Sequence, residues 1–341
     1  MNNYKKIFLL GGMAMLGTVA AGAQQAAAPY LDAYTIPVKK KNAVVGKVYD
    51  KNGKLGSAVL LEDKSGLFTI SGNELKLKKK ASVDVDGTYP VRIKAGEDTV
   101  DFLLVADDFI RNKVVAHRGA WKHHEGSQNS LTSLKDAIRL GCEGSEFDVW
   151  LSSDDQLMIS HDPEIGGKKV EESTLADLQT VQLKNGDRVP TLEEYINAIM
   201  EQHKTRLVLE LKPSAKGKGT QLATQAVAMV HAKKAQAWMF YISFDYNICK
   251  QIKALDPTAK IAYLNGDKTP VQLQADGIWG LDYNQQVFKK DPQLIATAKQ
   301  HQVTTNAWTI DNPEIMDELL KGGIDFITTN EPEILLEKVK H

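Results

Sequence analysis

The fold class this sequence predicts is α/β: a (β/α)₈ TIM barrel preceded by a small all-β sandwich-like module. Three observations lead there. From Lys113 onward, short apolar runs alternate with helical patterns. Several of those runs stop abruptly at polar, titratable residues, as barrel strands do where they deliver chemistry at their C-terminal ends. Residues 30–108, by contrast, hold only short extended segments broken by turn signals.

In chain order, residues 1–23 have the layout of an export signal. Lys5 and Lys6 open it, Ile7 to Ala21 is its apolar stretch, and Ala21-Gly22-Ala23 supplies the small residues of a cleavage site before Gln24. The stretch is too short and too rich in Gly and Ala for a stable membrane span, and no cysteine follows it to carry a lipid. The expected protein is exported, periplasmic or secreted, with no span left after cleavage.

Residues 30–108 carry segments such as Ala43–Tyr49, Leu67–Ile70 and Tyr89–Ile93, separated by Asp50-Lys51-Asn52-Gly53, Ser71-Gly72-Asn73 and Asp86-Gly87. No helical period appears, which reads as a small antiparallel sandwich. The order Val45–Val48, Leu67–Ile70, Glu74–Leu77 faintly resembles a cadherin-like module, and the resemblance implies fold only. A spacer or docking role is expected, toward a partner that the residues leave open.

The barrel is expected over residues 109–341. Lys113–His117 is its first strand, and Ser130–Leu140 a helix stopped by Gly141. Glu143–Trp150 is the second strand, with Gln156–Ser160 as hairpin partner, and Arg206–Leu211 the third. Helical patterns cover Thr174–Gln179, Thr191–Gln202 and Gly219–Lys234. Further strands are expected at Met239–Ser243, Lys260–Leu264, Gly277–Leu281, Val303–Trp308 and Phe326–Thr329. A doubly wound open sheet is the alternative.

Composition bounds the function. Net charge is −1, from 42 Lys+Arg against 43 Asp+Glu, so no bulk basicity points to nucleic acid. The runs Lys39–Lys41 and Lys78–Lys80 read as solvated faces. Cys142 and Cys249 are too few for a disulfide framework, and opposite ends of the barrel would keep them apart. Two inert thiols are expected.

The chemistry gathers at the strand ends. His117 closes the first strand and His161 the run Leu157–Ser160, and imidazoles titrate near neutral pH, as an acid–base pair needs. Glu146 and Asp148 are two apart and so share a strand face, as do Glu210 and Lys212. Glu146, Asp148 and Glu210 together make three hard oxygen ligands, suited to one divalent metal, Mg²⁺ or Ca²⁺. Arg118 and Lys212 put positive charge beside them, as a phosphate bridging metal and cations requires. No serine or cysteine nucleophile stands beside a base, so phosphoryl transfer fits better than acyl transfer.

His117-Arg118-Gly119, Gln128-Asn129-Ser130, Glu146-Phe147-Asp148, His161-Asp162, Glu210-Leu211-Lys212, Trp308 and Thr328-Thr329-Asn330-Glu331-Pro332 follow one another in the order seen in the glycerophosphodiester phosphodiesterase family, which the chain resembles from Lys113 to its end. The resemblance implies a metal-dependent barrel hydrolase acting on a small glycerophosphodiester to give an alcohol and glycerol 3-phosphate. It makes His117 and His161 the acid–base pair, and Glu146, Asp148 and Glu210 the metal ligands. Arg118 and Lys212 would hold phosphate, Asn129 is a polar position near the site, and Trp308 packs on the glycerol side. Gln128 stands where the family usually has glutamate, Asn330 where aspartate is common, and the segment between His161 and Glu210 is short. Trp121, His123, His124 and Glu125, in the loop after the first strand, read better as solvated than as pocket residues.

Two rivals remain open at this level. One is a related phosphodiesterase acting on lysophospholipid, sphingomyelin or a sugar phosphodiester. The other is a catalytically silent binder of a phosphodiester or glycan, against which both histidines and all three carboxylates argue.

Overall fold

A computed structural model describes residue 26 and residues 28–340; the expected export signal lies outside the described residues. Eight parallel strands close into a barrel. They are β1 (Val114–Ala116), β2 (Gly144–Leu151), β3 (Arg206–Leu211), β4 (Met239–Ser243), β5 (Ile261–Tyr263), β6 (Gly280–Asn284), β7 (Thr304–Trp308) and β8 (Phe326–Thr329). Each pairs with the next, and β8 and β2 both pair with β1, which closes the ring. Leu157–Ile159 adds an antiparallel partner to β2, as the sequence predicts. The fold class is therefore the TIM barrel, and the open doubly wound sheet is excluded by the closure.

The strands are short apolar runs because both faces are covered. All eight residues of β2 are buried. Phe147 turns outward and packs its ring 4.6 Å from that of Tyr195 on the helix Leu192–Ile199. The alternate residues Glu146 and Asp148 turn inward. Below them the interior is filled by Val115, Val208, Phe240, Ile242, Ala262 and Leu264, a packed layer rather than a pore. Above that layer, at the C-terminal mouth, stand both histidines and the inward carboxylates.

The first helix, α1 (Leu131–Leu140), shows why the segment around it is placed firmly. Ser130 caps it by accepting from Ser133 N–H at 3.0 Å, and Gly141 ends it at φ 82°. The last helix, α2 (Pro332–Val339), starts directly after β8, with proline in its first turn.

Residues 30–106 form two four-stranded sheets. Leu31, Val48, Phe68 and Leu75 from one sheet face Ile36, Ile93, Phe102 and Leu104 from the other in a shared core. This module packs on the barrel's N-terminal end. Lys234 Nζ, at the end of the helix Gly219–Lys233, lies 3.7 Å from Asp101 Oδ2 of the module, and Phe109, just past the module, takes the Arg206 guanidinium 3.8 Å over its ring and meets Trp238 edge-on at 6.1 Å. The apolar core runs unbroken from module to barrel. The module thus seals the end opposite the mouth and contributes no side chain to it. Cys142 and Cys249 are buried and free, and burial raises both thiols, Cys142 to about 12. Among the described residues no helix is long and apolar enough to cross a membrane.

Candidate active site

Parallel register decides which side chains meet. Asp148 lies directly across from Glu210, and Glu146 from Val208. That pairing brings Glu146, Asp148 and Glu210 into one buried cluster whose ligand oxygens all lie within 4.8 Å of one another. Lys212 reaches back to it, with Nζ 2.8 Å from Asp148 Oδ1 and 2.8 Å from Glu210 Oε1.

Next to the cluster the chain leaves β1 in a strained turn. Arg118 has φ 58° and Asn129 has φ 60°, a region that side chains other than glycine enter at a cost. The turn aims backbone and side chains at the carboxylates. Arg118 N–H donates to Glu146 Oε2 at 2.9 Å, and its Nη1 to Gln128 Oε1 at 2.5 Å. Arg118 Nε lies 3.7 Å from Asp148 Oδ2 and is buried without a hydrogen-bond acceptor. Asn129 Nδ2 donates to Asp148 Oδ2 at 2.8 Å, while its Oδ1 accepts from Asp148 N–H at 3.3 Å.

Gly119, at φ 80°, completes this turn, and a Cβ there would lie 2.7 Å from the backbone carbonyl carbon of Ser133. Gly119→Ala is therefore expected to cost about 2 kcal/mol or more and to lower turnover by displacing Arg118. Chemical denaturation with kinetics checks both, and a fully stable, fully active variant would contradict it.

His117 continues the β1 ladder, its N–H donating to Thr329 O at 2.9 Å. Its Nε2 is 3.9 Å from Glu146 Oε2. His161 sits across the mouth, more exposed, with Nδ1 2.7 Å from Asp162 Oδ1. Both histidines, Arg118, Glu146, Glu210, Lys212 and Trp308 line one cavity of about 120 Å³. Trp308 is held by its indole N–H donating to Asp282 O at 2.9 Å and by an edge-on contact with Phe244. A second hollow of about 530 Å³, sharing Arg118 and His161 with the first, opens over the loops after β1 and β2.

Charges in this space are strongly coupled. Burial, then repulsion from Asp148 and Glu210, holds Glu146 well above the usual carboxylate range. Burial and Asp148 push Glu210 up to about 7. Burial pulls Asp148 upward too, but the Lys212 ammonium and its hydrogen bond outweigh it and leave that carboxyl low. Lys212 is raised, since Asp148 and Glu210 together outweigh its burial. Burial, reinforced by Arg118, drops His117 to about 4, and burial with Lys212 also lowers His161.

These residues fit a divalent cation. The donors are hard carboxylate oxygens, three acids face a single lysine at their centre, and Glu146 Oε1 is buried with no hydrogen-bond partner. Glu146, Asp148 and Glu210 would hold the ion.

The structure adds residues that the sequence did not suggest. Asp282 lies in the cavity wall, 2 % exposed, with Oδ1 unpartnered and its acid pushed up to about 8 by burial. The sequence places the sixth strand at 277–281, one residue short of it. The strand is Gly280–Asn284, so Asp282 belongs to a strand interior rather than a loop. Asp311, which the sequence did not suggest, and Asn330, which it named in a motif without a role, stand behind His117. The loop after β1 also differs from expectation: Trp121 and Glu125 line the larger hollow, and His123 and His124 pair with Glu331 and Glu333 at 2.6 and 2.5 Å.

Asp282 gives a pH prediction. An acid raised on folding keeps its proton in the folded chain between about pH 4 and about pH 8, where the unfolded chain has lost it, so its contribution to stability falls across that window. Asp282→Asn has no such proton. Without added metal, its stability relative to wild type is expected to rise from pH 5 to pH 8 by on the order of 2–4 kcal/mol. Denaturation midpoints at both pH values test this, and a pH-independent difference would refute it.

Comparison with known proteins gives the family. The family model described as "Glycerophosphoryl diester phosphodiesterase family" covers residues 117–334. A glycerophosphodiester phosphodiesterase from Caldanaerobacter subterraneus is 26% identical over 68% of this chain and 99% of its own length. A crystal structure of a glycerophosphodiester phosphodiesterase from Parabacteroides distasonis is 38% identical, covers 67% of this chain and 96% of that one, and superposes with a TM-score of 0.65. An Oleispira antarctica phosphodiesterase, solved in complex with the product sn-glycerol-3-phosphate, is 25% identical over 67% of this chain and 97% of its own, with a TM-score of 0.59. The span runs from the first site histidine into the helix behind the last strand and takes in every site residue named from the sequence, so the chain belongs to the glycerophosphoryl diester phosphodiesterase family and is a phosphoric diester hydrolase.

Proposed function

We propose that this protein hydrolyses glycerophosphodiesters to an alcohol and glycerol 3-phosphate with one divalent metal, Mg²⁺ or Ca²⁺, and with His117 and His161 as base and acid. The observation that carries the reading is the shared cavity: both imidazoles, two cations and the carboxylate cluster face one small space. Glu146, Asp148 and Glu210 hold the metal, which when bound supplies positive charge to the phosphoryl oxygens.

Arg118 and Lys212 complement the remaining phosphate charge, Arg118 with its unpartnered Nε. Asn129 keeps Asp148 turned into the cluster. Trp308, clamped by Asp282 and Phe244, offers its face to the glycerol carbons. His117, buried and uncharged near neutral pH, accepts a proton at Nε2 from the attacking hydroxyl. His161, nearer solvent and oriented by Asp162, returns a proton to the leaving alkoxide. The attacking hydroxyl is either the glycerol hydroxyl beside the phosphate, giving a cyclic intermediate, or water.

The lysine-started apolar stretch of residues 5–21 supports export, to the periplasm or beyond. Purified protein is expected to release glycerol 3-phosphate from glycerophosphocholine, to stop in EDTA and to recover with Mg²⁺ or Ca²⁺. Undiminished release in EDTA would remove the metal. No release from any glycerophosphodiester would favour a binder.

A further inference from the structure

Behind His117, on the side away from the carboxylates, stand two residues that the roles above leave unused. Asn330 follows β8 directly, and Asp311 lies in the loop after β7. Asn330 Oδ1 is 2.8 Å from His117 Nδ1. Asn330 Nδ2 donates to Asp311 Oδ2 at 2.8 Å, and its backbone N–H donates to Asp311 Oδ1 at 2.8 Å. The Thr329 hydroxyl donates to the same Oδ1 at 3.1 Å.

We infer that Asp311 and Asn330 are positioning residues that hold His117 as the tautomer protonated at Nδ1, with the Nε2 lone pair turned to the reacting groups. Partners decide which way an amide faces. Asp311 accepts at Oδ1 from the Asn330 backbone N–H and the Thr329 hydroxyl, and its Oδ2 needs a donor, so the Asn330 NH₂ must face it. That leaves Oδ1 toward His117, and a carbonyl oxygen only accepts, so Nδ1 must be the donor. A neutral imidazole has one ring proton, and Nε2, which looks toward Glu146, is then bare. The flipped amide would set two acceptors against each other at Asp311. The Asn330 backbone N–H and the Thr329 hydroxyl fix that carboxylate independently of the amide, so the whole chain from Asp311 to Nε2 has one consistent arrangement.

The two histidines are served differently. His161 has a carboxylate directly on Nδ1, on an exposed loop. His117 has a neutral amide, with the carboxylate one residue further back. An amide fixes the tautomer without setting a negative charge against the ring, which suits a base that must rest uncharged.

The inference rests on His117 being the acid–base residue, and its test separates the two ideas. Full-length protein labelled with ¹⁵N-histidine, metal-free at pH 7, would be read by two-bond ¹H–¹⁵N correlations, with His117→Gln assigning the His117 signals. The proton is expected on Nδ1; finding it on Nε2 overturns the inference whatever the activity. In Asn330→Leu the proton is expected to shift largely to Nε2, with kcat falling about 10- to 100-fold and KM changing by less than roughly 3-fold. Wild-type kcat in a folded Asn330→Leu protein would also overturn it. If that variant does not fold, the wild-type tautomer and Asp311→Ala, for which the same kcat loss is expected, decide the matter. Full turnover in His117→Ala would instead remove the acid–base reading, while the tautomer measurement would stand on its own.

Discussion

His117→Ala is expected to lower kcat for glycerophosphodiester hydrolysis by about 10²–10⁴-fold, the range that a positioned acid or base supplies, and to leave the barrel folded. The imidazole faces the carboxylate cluster at 3.9 Å and makes one side-chain hydrogen bond, to Asn330. Losing that bond costs about 1 kcal/mol, with part of the buried contact besides. The remaining β1 ladder is backbone. His161→Ala is expected to match the kinetic loss with still less effect on stability, since that side chain is half exposed. Steady-state rates beside thermal midpoints separate the two quantities. A His117→Ala protein that turns over at the wild-type rate would end the assignment.

Glu146→Gln is expected to reverse its effect on stability when metal is added. Without metal, wild type holds three carboxyls in one buried cluster, and Glu146 is raised well above the usual range by burial and by its acidic neighbours. A carboxyl raised on folding removes stability as pH climbs above its unfolded value near 4. The amide has no proton to lose, so the variant is expected to be the more stable protein in EDTA at pH 7. With Mg²⁺ or Ca²⁺ present, wild type gains binding energy in proportion to saturation, and the variant, one anionic ligand short, needs roughly 10-fold more metal for the same gain and the same activity. Melting curves with EDTA and across a metal titration test the crossing. Parallel curves with no crossing would show that Glu146 is no ligand.

Much of this protein is legible before folding. Short, largely apolar runs with helical patterns between them specify the barrel, because strands covered on both faces favour apolar side chains, as Leu207-Val208-Leu209 and Val114-Val115-Ala116 show. The candidate site residues are legible for the opposite reason: His117, Glu146, Asp148 and Glu210 interrupt or end such runs, and together they form a set that separate ion pairs do not explain. Asp282 escaped because one residue of strand register moves a side chain between loop and barrel wall, and element ends are the least readable part of a pattern.

Fold class, family and chemical kit depend on residue type and order along the chain, and both can be read without coordinates. Which side chains meet depends instead on strand register and barrel closure. The β2–β3 register sets Asp148 against Glu210, the loops after β7 and β8 bring Asp311 and Asn330 up behind His117, and the module comes to rest on the end away from the mouth. Those partners are separated by 19 to 213 residues in sequence, and no local pattern records a contact that only barrel closure creates.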